Sequence, residues 1–389
     1  MEFDVLIVGG GPAGLSAACR TMQLAQEAGK EITVCVVEKG SEIGSHILSG
    51  AVFEPKTLFD LFPEDAKDCP TLKTPVAKDE LFWLTGESKS IKVPSWLMPK
   101  SLHNKGNYII SLGELCQWIS EKAMELGVDI FPGFPAQSYL KDESGRVIGI
   151  STGDMGIDKE GNQKGTYTPG MDILAKQTIF AEGARGHLGK QLIKEFNLDE
   201  GKTPQHFAIG FKEIWEVEND NHSPGDVVHT MGWPLNEGTT GGGFLYHFDN
   251  KRVAVGLIVD LNYTNTSHSP FQEFQQFKKH PKIKQFLDSG KRVSYGARAI
   301  TKGGINSLVK MDFNGGMIIG CDAGTLNPSK IKGSHCALQS GILAAEYIHK
   351  ILNEEICDFD DLFKSSSLYQ ELYKSRNFSS AMHKFGFYL

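Results

Sequence analysis

Three glycines place the tightest constraint on how this chain can fold. Gly9, Gly11 and Gly14 stand in the spacing G-x-G-x-x-G directly after the apolar run Asp4-Val5-Leu6-Ile7-Val8. A continuous apolar run of that length predicts a strand buried on both faces, and hence a parallel sheet. The first glycine permits a tight turn, the second leaves no side chain to hold a pyrophosphate off the backbone, and the third lets helix and strand approach. Pro12 and Ala13 lead into a helix predicted over 15–28, whose N-terminus offers unpaired N–H groups and a positive dipole end to phosphate. A second buried strand is predicted over 32–37. Glu38, 24 residues beyond Gly14, closes it where a carboxylate can accept ribose hydroxyls. Strand, glycine turn, helix, strand and acid in this order point to a dinucleotide site. The fingerprint occurs once in the 389 residues, so a separate nicotinamide-nucleotide domain is not expected.

Two later segments favour FAD as the dinucleotide. In Gly320-Cys321-Asp322-Ala323-Gly324 an acid at the end of a late strand precedes a small-residue turn, where Asp322 can bond the ribityl chain of a flavin. A helix predicted to start near Gly333 can aim its positive end at the electron-rich pyrimidine ring. Phe180-Ala181-Glu182-Gly183 is a further strand end carrying an acid and a glycine, expected beside the first strand.

A length of 389 residues exceeds what one hydrophobic core usually serves and suggests two lobes. Ser111-Leu112-Gly113-Glu114 reads as a capping box opening a helix to Gly127, and the turn-rich stretch 158–162 as the tip of a hairpin. From 205 to 300 the texture changes to strands in series, at 207–217, 226–233, 244–248, 252–261 and 292–300, with a helix only near Phe271. Such a series predicts an antiparallel sheet. Residues 317–320 and 333–352 then return to strand and helix of the first kind. The expected fold class is α/β, with a discontinuous Rossmann-like FAD-binding lobe and an inserted antiparallel-sheet lobe. The FAD lobe is assigned 1–75, 106–200 and 301–352, the second lobe 76–105 and 201–300, and a C-terminal extension 353–389.

Forty basic against 47 acidic residues give a net charge of −7, which argues against a broad nucleic-acid partner. The seven cysteines are never closer than fifteen residues and form no C-x-x-C, so no local iron–sulfur or zinc motif exists and a reducing compartment is expected. No apolar run reaches the roughly 18 residues that would span a bilayer, and no secretory or Arg-rich transit pattern opens the chain. Leu81-Phe82-Trp83-Leu84 and Pro94-Ser95-Trp96-Leu97-Met98-Pro99, punctuated by lysines, read equally as an interfacial membrane segment or as a buried loop.

Longer matches carry a resemblance. Gly9 to Ser16, Gly44 to Ala51, Gly106-Asn107-Tyr108-Ile109, Gly241-Gly242-Gly243-Phe244-Leu245-Tyr246-His247, Tyr295-Gly296-Ala297-Arg298-Ala299 and Lys330-Ile331-Lys332-Gly333-Ser334-His335 occur in order. Together they cover nearly the whole chain, which resembles the electron transfer flavoprotein–ubiquinone oxidoreductase family. The resemblance implies an FAD lobe of the geranylgeranyl reductase and hydroxybenzoate hydroxylase type and a quinone lobe in which Gly241 and Gly242 contact the ubiquinone headgroup. It adds Ser49 and Gly50 to the residues expected around FAD. It implies reduced electron transfer flavoprotein as a partner, and monotopic attachment through 81–103 to a lipid surface. That surface would be an energy-transducing inner membrane, on its cytoplasmic face in bacteria or its matrix face in mitochondria. Electron transfer depends on proximity, so no catalytic acid or base is assigned. His247 is expected to be a satisfied structural histidine.

Two departures from the family pattern stand out. Family members continue into a ferredoxin-like domain whose four cysteines hold a [4Fe–4S] cluster, whereas this sequence stops at Leu389 and supplies no such ligands. The expectation is a chain without that domain, impaired in accepting electrons from the flavoprotein partner. Thr240 also stands where a tyrosine is expected. A flavin reductase acting on isoprenoid double bonds and a non-enzymatic FAD- or lipid-binding remnant both stay open as alternatives.

Overall fold

The computed structural model describes residues 1–48, 50–218, 221–235, 238–288 and 290–385. The first apolar run forms the strand Glu2–Val8, with Val34–Glu38 and Asp172–Phe180 parallel on either side of it. Gly316–Ile318 pairs parallel beyond Asp172–Phe180. Val5, Leu6 and Ile7 are fully buried, as a strand covered on both faces requires. On one face the helices Pro12–Glu27 and Ser334–Leu352 cross closely, and Ser16 Oγ donates to the Leu338 carbonyl at 3.0 Å. Gly341 makes the crossing possible, because a Cβ there would collide with Ala13 O and Ser16 Oγ. The helix Leu112–Glu125 begins where its cap was expected, with Ser111 Oγ accepting from the Glu114 N–H at 3.3 Å. The turn 158–162 joins the antiparallel strands Met155–Ile157 and Gln163–Thr168, its Asp158 carboxylate accepting from the N–H groups of Glu160 and Asn162.

A second sheet of seven strands runs in the spatial order Lys291–Thr301, Phe207–Glu216, Arg252–Asp260, Gly241–His247, Asp226–Gly232, Lys78–Leu84 and Ser90–Val93. The sheet departs from the purely antiparallel expectation at one place, where Lys78–Leu84 lies parallel to Asp226–Gly232. Hairpin neighbours must alternate in direction, but a strand arriving from a distant part of the chain is free of that constraint. The same pairing makes the first part of the segment that read as either interfacial or a buried loop a strand of this sheet. Leu81, Phe82 and Leu84 are buried strand residues, while Trp83 stays 42% exposed.

The helices Pro270–Lys279 and Pro281–Leu287 cover one face of this sheet, packing Phe274, Phe277 and Ile283 against Phe82, Leu84, Val255 and Leu257. Successive strand residues point to opposite faces. Ile214, Phe244, Tyr246 and Ala254 therefore lie on the other face, where they meet Val52 and Ile109 of the first lobe. The C-terminal helices Phe359–Ser365 and Ser367–Lys374 bury Phe359, Phe363, Leu368 and Leu372 in the core of the first lobe.

Candidate functional site

The C-terminal ends of the parallel strands gather the glycine turn, the 181–183 segment, Glu38 and the 320–324 segment at one edge of the sheet, the usual place for a ligand in an open α/β fold. Gly9 has φ +111°, and a Cβ there would strike the Ala181 carbonyl; one at Gly14 would strike Gly9 O. Gly11 differs, since a Cβ at that position would meet no atom within 4 Å. Gly9 and Gly14 thus hold the turn together, whereas Gly11 faces open space. Pro12 sits at the first position of the helix, and Ala13 is buried where the Gly320 turn packs onto it. Glu38 accepts from the Gly10 N–H at 2.9 Å and from the Gly40 N–H at 2.7 Å, which fixes the carboxylate beside the turn. An ionised carboxylate offers about four lone-pair sites, so acceptors remain for hydroxyl groups.

Asp322 lies in the short helical turn Gly320–Ala323 rather than at a strand end. One carboxyl oxygen accepts from the Gly186 N–H at 3.0 Å, and the other is buried with no hydrogen-bond partner among the described residues. Burial, with the charge of Glu182 close by, pushes its pKa up to about 8. Glu182 caps the helix His187–Glu195, accepting at 2.8 Å from the N–H groups of both Leu188 and Gly189. Gly183, at φ +84°, leaves open space where a Cβ would stand. These features suit a bound dinucleotide: a cradle that only glycine leaves empty, a carboxylate positioned by backbone donors, and a buried oxygen without a hydrogen bond.

Between the lobes lies a cavity of about 180 Å³, walled by Gly50, Val52, Gly210, Lys212, Phe244, Tyr246, Ile258, Gly296, Arg298 and residues 331–334. Gly333 starts the helix Ser334–Leu352 with no side-chain cap, so the positive end of a 19-residue helix opens onto this space. Gly50 has φ +96° and sits where a Cβ would lie 2.6 Å from Ala254 Cβ. Two cations of the second sheet clamp its loop. Lys212 Nζ donates to the carbonyls of Gly50 and Leu48 at 2.7 and 3.4 Å, and Arg298 donates to the His46 carbonyl at 2.6 Å. Ser49 lies outside the described residues.

The glycine pair divides between the two faces of the sheet. Gly242 stands in register with Ile258, which is in turn level with Gly210 and Arg298, so it shares a row with the cavity wall. Apart from the Thr230 carbonyl at 2.7 Å, a Cβ at Gly242 would meet only the carbon of that same carbonyl group. Gly241 packs toward the opposite side, where a Cβ would collide with Ile258 O and lie 2.7 Å from Leu235 Cδ1. Thr240 donates to the buried Asp260 carboxylate, which also pairs with Lys302. His247 is only half satisfied. Its Nδ1 accepts from the Ser223 N–H at 3.3 Å, Nε2 has no partner among the described residues, and burial lowers its pKa to about 4.

Polar groups lining the cavity that sequence reasoning did not assign to it include Lys212, Lys332 and Tyr246, whose hydroxyl meets His229 Nε2 behind the wall at 3.0 Å. Burial lowers both lysines to about 8 and His229 to about 3. The signal available for Lys212 was a lysine within a strand whose alternate residues Ala208 and Gly210 are small and uncharged.

A parallel-sheet lobe with this glycine turn, joined through a cavity to a second sheet, defines the FAD-dependent oxidoreductase class. The chain is 60% identical to the electron transfer flavoprotein-ubiquinone oxidoreductase of Pseudomonas aeruginosa, over 99% of this chain and 71% of that protein. It belongs to the electron transfer flavoprotein-ubiquinone oxidoreductase family. A relative in Acinetobacter baylyi, named as a probable member, is 50% identical over 100% of this chain and 72% of its own length. The human mitochondrial protein is 46% identical, over 98% and 64%. Residues 207–300 match a family described as ETF-QO, ubiquinone-binding, and residues 7–64 match an NAD(P)-binding Rossmann-like domain. Among solved structures, a geranylgeranyl bacteriochlorophyll reductase-like protein from Thermoplasma acidophilum shares the fold at TM-score 0.66 and 19% identity, over 97% of this chain and 84% of that one. A myxobacterial chondrochloren halogenase shares it at TM-score 0.68 and 16% identity, over 98% and 82%.

Proposed function

We propose that this chain holds FAD at the glycine turn and passes electrons from reduced electron transfer flavoprotein to ubiquinone bound against the second sheet. The observation that carries the reading is the cavity between the lobes, where the uncapped N-terminus of Ser334–Leu352 faces a wall of small residues, Gly210 and Gly296. FAD supplies the redox chemistry: it takes up two electrons and gives them on singly or together.

The chain's own residues do the rest. Gly11 and the first turn of Pro12–Glu27 receive the pyrophosphate, Glu38 accepts the ribose hydroxyls, and Asp322 offers its unused oxygen to the ribityl chain. Gly183 leaves room beside them. Gly50 and Gly333 border the ring, and the dipole of Ser334–Leu352 favours negative charge there. Gly242 keeps the headgroup space open, with Gly241 allowing the strand to pack behind it.

The exposed side chains of Trp96, Leu97, Ile91 and Trp83, accompanied by Lys89, Lys92 and Lys100, form an apolar tip suited to a lipid interface. Among the described residues no helix is long and apolar enough to cross a membrane. The reading this tip supports is monotopic attachment, on an energy-transducing inner membrane.

The test is direct. Protein loaded with FAD and photoreduced without oxygen should be reoxidised by a short-chain ubiquinone, and the oxidised FAD-loaded protein should in turn be reduced by reduced electron transfer flavoprotein. Failure of the quinone step overturns the assignment.

A further inference from the structure

Reduction of a quinone to a quinol consumes two electrons and two protons, so a site that performs it must deliver protons as well as electrons. Five side chains lining the cavity carry polar hydrogens at their tips: Arg298, Tyr246, Ser334, Lys332 and Lys212. The Ser334 hydroxyl is an aliphatic alcohol, far too weak an acid to serve as the donor. A guanidinium does not give up its proton in a protein, and that of Arg298 is engaged with His46 O. Burial pushes the Tyr246 phenol up, and its hydroxyl is held by His229. Lys332 is turned toward the backbone, donating to Lys330 O at 3.2 Å, and feels the charges of Glu54, Asp79 and Glu371 as well as of Lys330.

Lys212 differs from all four. It projects from the middle of Phe207–Glu216, between Gly256 on one neighbouring strand and Gly296 on the other. Its Nζ stands 5.7 Å from the centre of the Phe244 ring, which lies across Gly256. Two of the three ammonium hydrogens have acceptors, Gly50 O and Leu48 O. No carboxylate is paired with it among the described residues; burial alone lowers its pKa, to about 8. An ammonium so placed is a weakly compensated charge with a hydrogen to give, at a wall made flat by glycine.

We propose that Lys212 is the proton donor to a carbonyl oxygen of the quinone bound in this cavity. The proposal rests on the function read above. In the step, an O–H bond forms at the carbonyl oxygen as one N–H bond of the ammonium breaks. Two electrons come from the reduced flavin, and solvent supplies the proton for the second carbonyl. The neutral amine then regains a proton from solvent. Lys332 lines both this cavity and the outer cleft bounded by Lys100, His103 and Lys105, which marks the side from which that proton enters.

The experiment compares two acceptors on FAD-loaded, photoreduced protein: short-chain ubiquinone, which takes protons, and ferricyanide, which takes an electron and none. Lys212→Met should slow reoxidation by quinone about a hundredfold, the scale of general acid catalysis, while ferricyanide reoxidation stays within about twofold. The wild-type quinone rate should fall as pH rises through about 8, because the donor must be protonated, and this inflection should vanish in Lys212→Met. Lys212→Arg keeps the charge and the hydrogen bonds to the loop but cannot release a proton, so it should remain slow with quinone. Independently of turnover, lysine Cε resonances of carbon-labelled protein should include one that titrates near pH 8 and is missing from Lys212→Met.

Restoration of the quinone rate by arginine would assign Lys212 to charge or loop clamping alone and overturn the proposal. So would equal slowing with both acceptors, loss of FAD from Lys212→Met, or absence of the titrating resonance. A Lys212→Met protein that reduces quinone at the wild-type rate overturns this proposal only; wild-type protein inert to quinone overturns the functional reading as well.

Discussion

Asp322 offers a quantitative test in the FAD-free protein. Its carboxyl has an ordinary value of 3.8 in the unfolded chain and about 8 in the fold, where burial and Glu182 disfavour the charge. The folded protein therefore binds an extra proton between these two values, and stability falls as pH rises through that window, levelling off above about 8. One pKa unit corresponds to about 1.4 kcal/mol, so the loss between about pH 5 and pH 8 amounts to roughly 4 kcal/mol from this residue. Asp322→Asn removes the titration but keeps an oxygen for the Gly186 N–H. Urea unfolding of both proteins at several pH values isolates the effect, because the titrations they share largely cancel in the difference. The variant should gain roughly 4 kcal/mol relative to wild type across that interval. Parallel stability profiles would refute the reasoning and mean that the Asp322 carboxylate is ionised in the fold.

The glycine turn predicts two distinct failures. Gly11→Val should fold normally yet bind FAD at least about tenfold more weakly, seen as lost flavin absorbance with an unchanged circular dichroism spectrum, since its Cβ enters only open space. Gly14→Val should instead destabilise the fold, because its Cβ meets Gly9 O. Gly341→Val should lower stability by about 1–3 kcal/mol or more in urea melts by prising apart Pro12–Glu27 and Ser334–Leu352. Replacing Trp83, Trp96 and Leu97 together by serine should abolish flotation with anionic liposomes, with little change in melting temperature, as all three side chains are exposed.

The sequence was most legible where the physics is local. The turn of Gly9, Gly11 and Gly14 needs only its own backbone, and Ser111 caps its helix within four residues, so both could be read in place. The strands between 207 and 301 declared themselves by alternation and short turns. Residues 81–84 did not, because their strand character depends on Asp226–Gly232, a partner that local pattern cannot identify. Of the candidate site, Glu38 and Gly11 were readable from spacing. The split between Gly241 and Gly242 was not, since it depends on which face of the sheet meets the helices and which meets the cavity. Glu182 is occupied by a helix end six residues further on, a use that no acid-glycine pattern announces. Lys212 is an ordinary strand lysine by local pattern, and only the fold brings the Leu48 and Gly50 carbonyls onto it.

The parallel pairing of Lys78–Leu84 with Asp226–Gly232 also bears on how the molecule is made. Asp226 pairs with Lys78, 148 residues earlier in the chain. Until Asp226–Gly232 and the strands beyond it have been synthesised, Phe82 and Leu84 have no core to enter and the two-stranded ribbon they belong to has both edges open. Such non-local pairing slows folding, since chain closure must precede the contacts that reward it. Transiently exposed apolar strands are also the usual seed of aggregation. The nascent chain therefore carries this apolar segment without its partner strand while more than a hundred further residues are added, and the slower their synthesis, the longer the segment depends on chaperones for cover.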